Sequence, residues 1–352
     1  MAHPGILHHY FPPRLSAFEH IPSSPSPTPT HDARPQNLIL FIGGLSDGLL
    51  TVTYPSLIAA SLPPTWRLAE VLLSSSYEGW RTGSLARDAR ELGEAVKYFR
   101  KRMREQGNGI GEGEGKIVLM GHSTGCQDIM EYLVGPLNAA AAAKHADEHH
   151  DDNEKETTTP HVDAVILQGG VSDREAHFSA LLSSPSVGGD PVLAQRKYDD
   201  LVSKAQAMTS DGRGNECMSR EGHFILADED ENQITAYRTY SLLQPGGDDD
   251  YFSSDLSDEV LGLTFGALPR RAGRVMFLLG SRDPYVPSWV DREGLLRRWT
   301  EVVRGAGGDV DTVNGGVVPG AAHNLNDDEE VVRRDLVQRV VRFVEGLGES
   351  SE

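Results

Sequence analysis

A serine hydroxyl attacks an ester carbonyl only when one part of a protein holds it exposed and another removes its proton. The stretch Gly121-His122-Ser123-Thr124-Gly125 meets the first condition. It follows an apolar run at residues 117–120 and precedes Ile129, Met130 and Leu133, which recur at helical spacing. The change of period predicts a strand buried on both faces, a sharp turn carrying Ser123, and then a helix. Such a turn strains the serine backbone, and Gly121 and Gly125 provide the room that close strand–helix packing needs. The amide of Thr124, at the start of the helix, then faces the place where an oxyanion develops.

A glycine-rich pentapeptide also makes an ordinary loop, so its partners decide the reading. Asp283 stands in the first turn beyond an apolar run at 275–279, a position from which a carboxylate orients a histidine and stabilises its imidazolium. His323 lies in the small-residue loop Pro319-Gly320-Ala321-Ala322-His323, just before a long amphipathic segment, whereas most of the 13 histidines fall in termini or low-complexity stretches. Alone, Asp283 is a turn aspartate before a proline, and His323 a packed surface histidine. Together the order Ser123, Asp283, His323 is that of nucleophile, acid and base, each after its own strand. The oxyanion needs a second amide, which the glycine-rich exit Gly43-Gly44-Leu45 of an early strand supplies, from Leu45 first and Gly44 second.

The elements that position these groups alternate. Strands are expected at 37–42, 66–74, 117–120, 162–168 and 275–279, with helices at 55–60, 84–104 and after Ser123, the rhythm of a parallel sheet covered on both faces. Residues 5–21 read as one or two short strands broken at Pro12-Pro13. Residues 171–265 lose the rhythm and carry helical patches at 174–182, 191–208 and 234–242, so they read as a lid inserted over the carboxyl ends of the strands. A helix at 293–304, a strand-like piece at 311–318 and a last helix at 326–347 close the chain. Residues 138–160, an alanine run followed by charged low-complexity sequence, read as a surface insertion rather than a histidine metal site.

The 33 Lys plus Arg stand against 52 Asp plus Glu, a formal charge of −19 that disfavours nucleic acid and anionic membranes as partners. Two cysteines, Cys126 and Cys217, exclude a disulfide framework and a cysteine-rich metal site. Without a leader-like start or an apolar run of membrane-spanning length, a cytoplasmic protein is expected.

The order of the three groups resembles the α/β-hydrolase superfamily from about residue 37 to residue 347. That resemblance implies an α/β-hydrolase fold: one domain over 1–352 with a mostly parallel, doubly wound sheet and a helical cap at 171–265. Four blocks are similar to a largely fungal branch that includes intracellular esterases of fusarinine and triacetylfusarinine siderophores: FIGGLSDGLLTVTY, GHSTGCQDIMEYL, LQGGVSDREA and YFSSDL. The branch implies an ester substrate of the ferric siderophore class, with iron belonging to the substrate and no cofactor required. Trp80, Tyr77 and Tyr251 are candidates for the substrate-cleft wall, although aromatic residues are more often simply packed. The residues alone leave open a general carboxylesterase, a lipase, a thioesterase, or a non-catalytic binding module on the same fold.

Overall fold

A computed structural model describes residues 2–21, 36–106, 115–146, 160–218 and 234–347. The chain opens with an antiparallel pair, β1 (Gly5–Phe11) and β2 (Leu15–His20), parted at Pro12-Pro13, where prolines offer no ladder donors. The alternation then runs β3 (Asn37–Ile42), α1 (Tyr54–Ser61), β4 (Trp66–Val71), α2 (Leu85–Gln106), β5 (Ile117–His122), α3 (Thr124–Ala146) and β6 (Val162–Gln168). Among the described residues four helices follow: α4 (Asp173–Ser183), α5 (Pro191–Ser210), α6 (Ala236–Leu243) and α7 (Asp258–Leu263). The core resumes with β7 (Ala272–Gly280), α8 (Arg292–Gly305), β8 (Asp309–Val310), β9 (Gly316–Val318) and α9 (Glu330–Gly346).

The nine strands among the described residues form one sheet in the order β1-β2-β4-β3-β5-β6-β7-β8, with β9 also on β7. Pairs from β4 onward along this order are parallel, and β2 joins β4 antiparallel. The continuous apolar runs follow from burial on both faces, because successive side chains point to opposite sides. Leu38, Leu40 and Ile42 of β3 join Ile117 and Leu119 of β5 in a core with α2, α3 and α8. Ile39 and Phe41, with Val118 and Met120, pack on the other side against α1 and α9.

The segment between β6 and β7 packs in two ways. Leu181, Ala194, Tyr198, Leu201, Ile234 and Leu242 build an apolar cluster of their own, into which Trp80 reaches. Phe252, Leu256, Leu261, Phe265 and Leu268 instead join the main core, where Phe265 stacks on Trp299 at 5.3 Å. The separately packed unit thus ends well before residue 265. Helix α7 and a 3₁₀ turn at Phe265–Arg270 return the chain to the sheet.

Helix α3 continues through the alanine run to Ala146, so the first part of the expected 138–160 insertion is helical, as alanine's propensity favours. The charged remainder at 147–159 lies outside the described residues. No helix among the described residues is long and apolar enough to cross a membrane.

Candidate active site

Three strand ends converge on Ser123. It follows β5 at φ 54°, a left-handed conformation that costs a non-glycine residue of order 1–3 kcal/mol and must be imposed by its surroundings. Those surroundings are close. A Cβ on Gly121 would come within 2.7 Å of the Gly125 and Cys126 backbone, and one on Gly125 within 2.2 Å of the Ile42 carbonyl. The Ser123 amide donates to Gln168 O at 3.0 Å, and the Ser123 carbonyl accepts the Cys126 amide at 2.8 Å.

The β3 exit lies against Ser123, since a Cβ on Gly44 would stand 2.5 Å from Ser123 Cβ. The Gly44 amide is already donated to Asp47 Oδ2 at 2.8 Å, which removes it as a free oxyanion donor. Among the described residues neither the Leu45 nor the Thr124 amide has a hydrogen-bond acceptor. Both residues line a small cavity with Trp80, Asp88, Asp128 and Arg238.

Asp283 is buried at the β7 exit, and its Oδ2 accepts His323 Nδ1 at 2.7 Å. Its Oδ1 accepts the Tyr285 amide at 2.9 Å, while Arg292 donates to the Asp283 and Val286 carbonyls and ties the loop to α8. His323 sits between β9 and α9. Its carbonyl accepts Gln168 Nε2 at 3.1 Å, and the preceding amide of Ala322 donates to Asp328. The imidazole lies between the Tyr285 ring, edge-on at 4.6 Å, and the His122 ring at 4.8 Å. No hydrogen bond joins Ser123 Oγ to His323 among the described residues; such bonds commonly tighten only when substrate binds.

The aromatic candidates separate. Trp80 is buried and donates from Nε1 to Ser46 Oγ at 3.0 Å, so it props the loop that carries Leu45. Half-exposed Tyr77 covers Gly48, and its hydroxyl accepts the Leu49 amide at 3.1 Å. Tyr251 does not reach the cleft: it is buried in the main core, with its hydroxyl donated to Glu131 at 2.7 Å. A nearly apolar ring with one polar tip is satisfied there, the packed alternative for an aromatic residue.

Sequence reasoning missed Asp47, Tyr54, His122 and Gln168. Asp47 Oδ1 also accepts the Thr51 hydroxyl, so one carboxylate ties residue 44 to residue 51, and an acid three residues after Gly44 could have signalled the loop. Gln168 Oε1 accepts both Tyr54 Oη, at 2.7 Å, and His122 Nδ1, at 2.6 Å. Burial, reinforced by the neighbouring His323, pushes the His122 imidazole down to about 4. Burial likewise pushes the Cys126 thiol well up, so this cysteine beside the elbow is unreactive.

Two of the four blocks that carried the resemblance meet in space. Ser172 Oγ bonds Ser253 Oγ at 2.6 Å, Arg174 pairs with Asp250 and Asp255, and Glu175 accepts from Ser254. They clasp α4 to the 250–255 segment, a packing role.

Comparison with known proteins agrees with this architecture. The family model described as "Protein of unknown function (DUF1749)" matches residues 1–345. The chain is 36% identical to the fusarinine C esterase sidJ of Aspergillus fumigatus, covering 98% of this chain and 96% of that one. It is 34% identical to Esterase AN6793 of Emericella nidulans, over 97% and 92% of the two chains. Among solved structures, the siderophore hydrolase EstB from Aspergillus fumigatus superposes with a TM-score of 0.77 at 33% identity, covering 99% of each chain. A monoglyceride lipase from Saccharomyces cerevisiae, at 9% identity and a TM-score of 0.56 over 99% of this chain and 97% of that one, shares the fold alone. The chain belongs to the DUF1749 family and to the α/β-hydrolase family of the fusarinine C esterase and the siderophore hydrolase EstB.

Proposed function

We propose that this protein is a serine esterase that cleaves carboxylic ester bonds of hydroxamate siderophores of the fusarinine type, through an acyl-enzyme on Ser123. The observation that carries the reading is the 2.7 Å bond from His323 Nδ1 to the buried carboxylate of Asp283, beside a serine held at positive φ. With Nδ1–H committed to Asp283, His323 Nε2 is the basic nitrogen, and it takes the proton as Ser123 Oγ attacks the carbonyl carbon. The amides of Leu45 and Thr124 receive the oxyanion. His323 then gives its proton to the leaving alcohol. In the second half it deprotonates water, whose attack on the acyl-enzyme releases the acid and returns Ser123. Asp283 stays ionised throughout, holding the tautomer and stabilising the imidazolium. The iron of a ferric siderophore is cargo of the substrate and takes no part.

The substrate class rests on two relatives, named fusarinine C esterase and siderophore hydrolase, each matched over nearly its whole length. The test is turnover of ferric and iron-free fusarinine-type esters beside short p-nitrophenyl esters, by wild type and by Ser123→Ala. Hydrolysis of all esters by wild type and of none by a folded Ser123→Ala is expected. Retained turnover in the variant overturns the mechanism, and turnover confined to p-nitrophenyl esters overturns the substrate class.

A further inference from the structure

We propose that Gln168 is a positioning residue for this reaction, setting the place of the His323 loop against the Ser123 turn and fixing the tautomer of His122 between them. The proposal rests on the serine esterase reading above and deepens it.

Gln168 ends β6, the strand between that of the nucleophile and that of the acid. Its side chain is buried, and it makes two sets of bonds. Through its backbone carbonyl it accepts the Ser123 amide at 3.0 Å and the Cys126 thiol at 3.4 Å. Through its side chain it donates from Nε2 to the His323 carbonyl at 3.1 Å, while Oε1 accepts from Tyr54 and His122. One residue therefore touches the nucleophile turn, the base loop and α1.

The orientation of its amide follows from chemistry. The His323 carbonyl is only an acceptor, so the group facing it must be the NH₂. Oε1 is then turned to His122 and requires a proton on Nδ1 of that ring. The groups facing His122 are His323, Asp47, Asp283, Tyr54 and Gln168. Its Nε2 stands 3.8 Å from Asp47 Oδ2, beyond hydrogen-bond reach. Burial holds His122 down to about 4, so near neutrality it is uncharged with the proton on Nδ1. A second imidazolium 4.8 Å from His323 would oppose the charge that His323 must carry when it takes the serine proton. Gln168 and burial together keep that neighbour neutral. Gly169 adjoins both rings: its φ is +66°, and a Cβ there would lie 3.3 Å from His323 Cε1.

The test uses the full chain. Gln168→Glu keeps size but loses the donor to His323 O and puts a carboxylate against His122. For a short neutral ester, kcat should fall about 10- to 100-fold with little change in KM, as expected for a sub-ångström misplacement of reacting groups. The acid limb of kcat/KM should move to higher pH, because the carboxylate favours protonation of both rings. A purely structural role lowers the melting temperature without moving that limb. An unchanged kcat and acid limb in a folded Gln168→Glu overturns the proposal. If that variant does not fold, Tyr54→Phe removes one donor to Oε1 and should give a smaller kcat loss at constant KM; no loss overturns the proposal. Histidine imidazole NMR gives a readout independent of turnover. Wild type should show His122 as the neutral Nδ1–H tautomer at pH 7, and the opposite tautomer overturns the proposal even if no ester proves to be a substrate. Absent turnover with the expected tautomer would overturn the esterase reading instead.

Discussion

Asp47 holds the amide of Gly44 at 2.8 Å, and so fixes the loop whose next residue, Leu45, lines a small cavity with Thr124. The same carboxylate binds the Thr51 hydroxyl, and Trp80 secures Ser46 from above. The loop proposed to receive the oxyanion is thus braced before any substrate arrives, and under that proposal its donors act without reorganisation.

Asp47→Ala frees the loop. A kcat loss approaching the roughly 10²-fold cost of a missing oxyanion donor is expected, with KM little altered. Steady-state kinetics on a p-nitrophenyl ester measure it, and an unchanged kcat would refute the bracing role.

Gly125→Ala should prevent the elbow from closing, because its Cβ would meet the Ile42 carbonyl at 2.2 Å. Both atoms belong to or sit on backbone, so relief requires moving α3 away from β3. Loss of soluble protein, or a melting temperature lowered by an overpacking cost of about 1–3 kcal/mol or more, is the expected outcome.

Tyr251→Phe removes only the hydroxyl bond to Glu131. Stability should fall by about 1 kcal/mol, while kcat/KM stays at the wild-type value, since the ring lies in the core. A raised KM would return Tyr251 to the cleft.

Buried Asp173 and two buried histidines pull stability in opposite directions as pH moves between about 4 and about 8. Burial pushes the Asp173 carboxyl up to about 8. Its folded value exceeds the unfolded one of about 3.9, so stability present at low pH is lost as pH rises from about 4 to about 8. Asp173→Asn keeps an acceptor for Gln127 Nε2, and thermal melts should show its advantage over wild type growing across that window and levelling above it. Burial holds His122 and His177 down to about 4. Against an unfolded value of about 6.5, their contribution is whole above that pH and is lost as pH falls toward 4. His177→Gln should flatten the acid decline of the melting temperature.

Much of the fold was legible because burial on both faces writes itself as uninterrupted apolar runs. Residues 37–42 and 162–168 are strands over the same bounds as read, and the switch of period at Ser123 is where β5 gives way to α3. Boundaries that depend on tertiary packing were less legible. Helix α7 and the turn after it are short, and their apolar residues complete a core built by distant strands.

By itself the sequence determined where each chemical group falls relative to its strand: Ser123, Asp283 and His323 each follow a core strand, and two glycines flank the serine. Tertiary structure alone decided which neighbours those groups acquire. Sequence spacing carries no distance across a sheet, so nothing local marked Gln168 as the residue between Ser123 and His323, or turned Gly44's amide to Asp47 and away from the cleft. Hydrogen bonds between strand ends form only once the register of a parallel sheet brings residues 45 and 155 positions apart within reach.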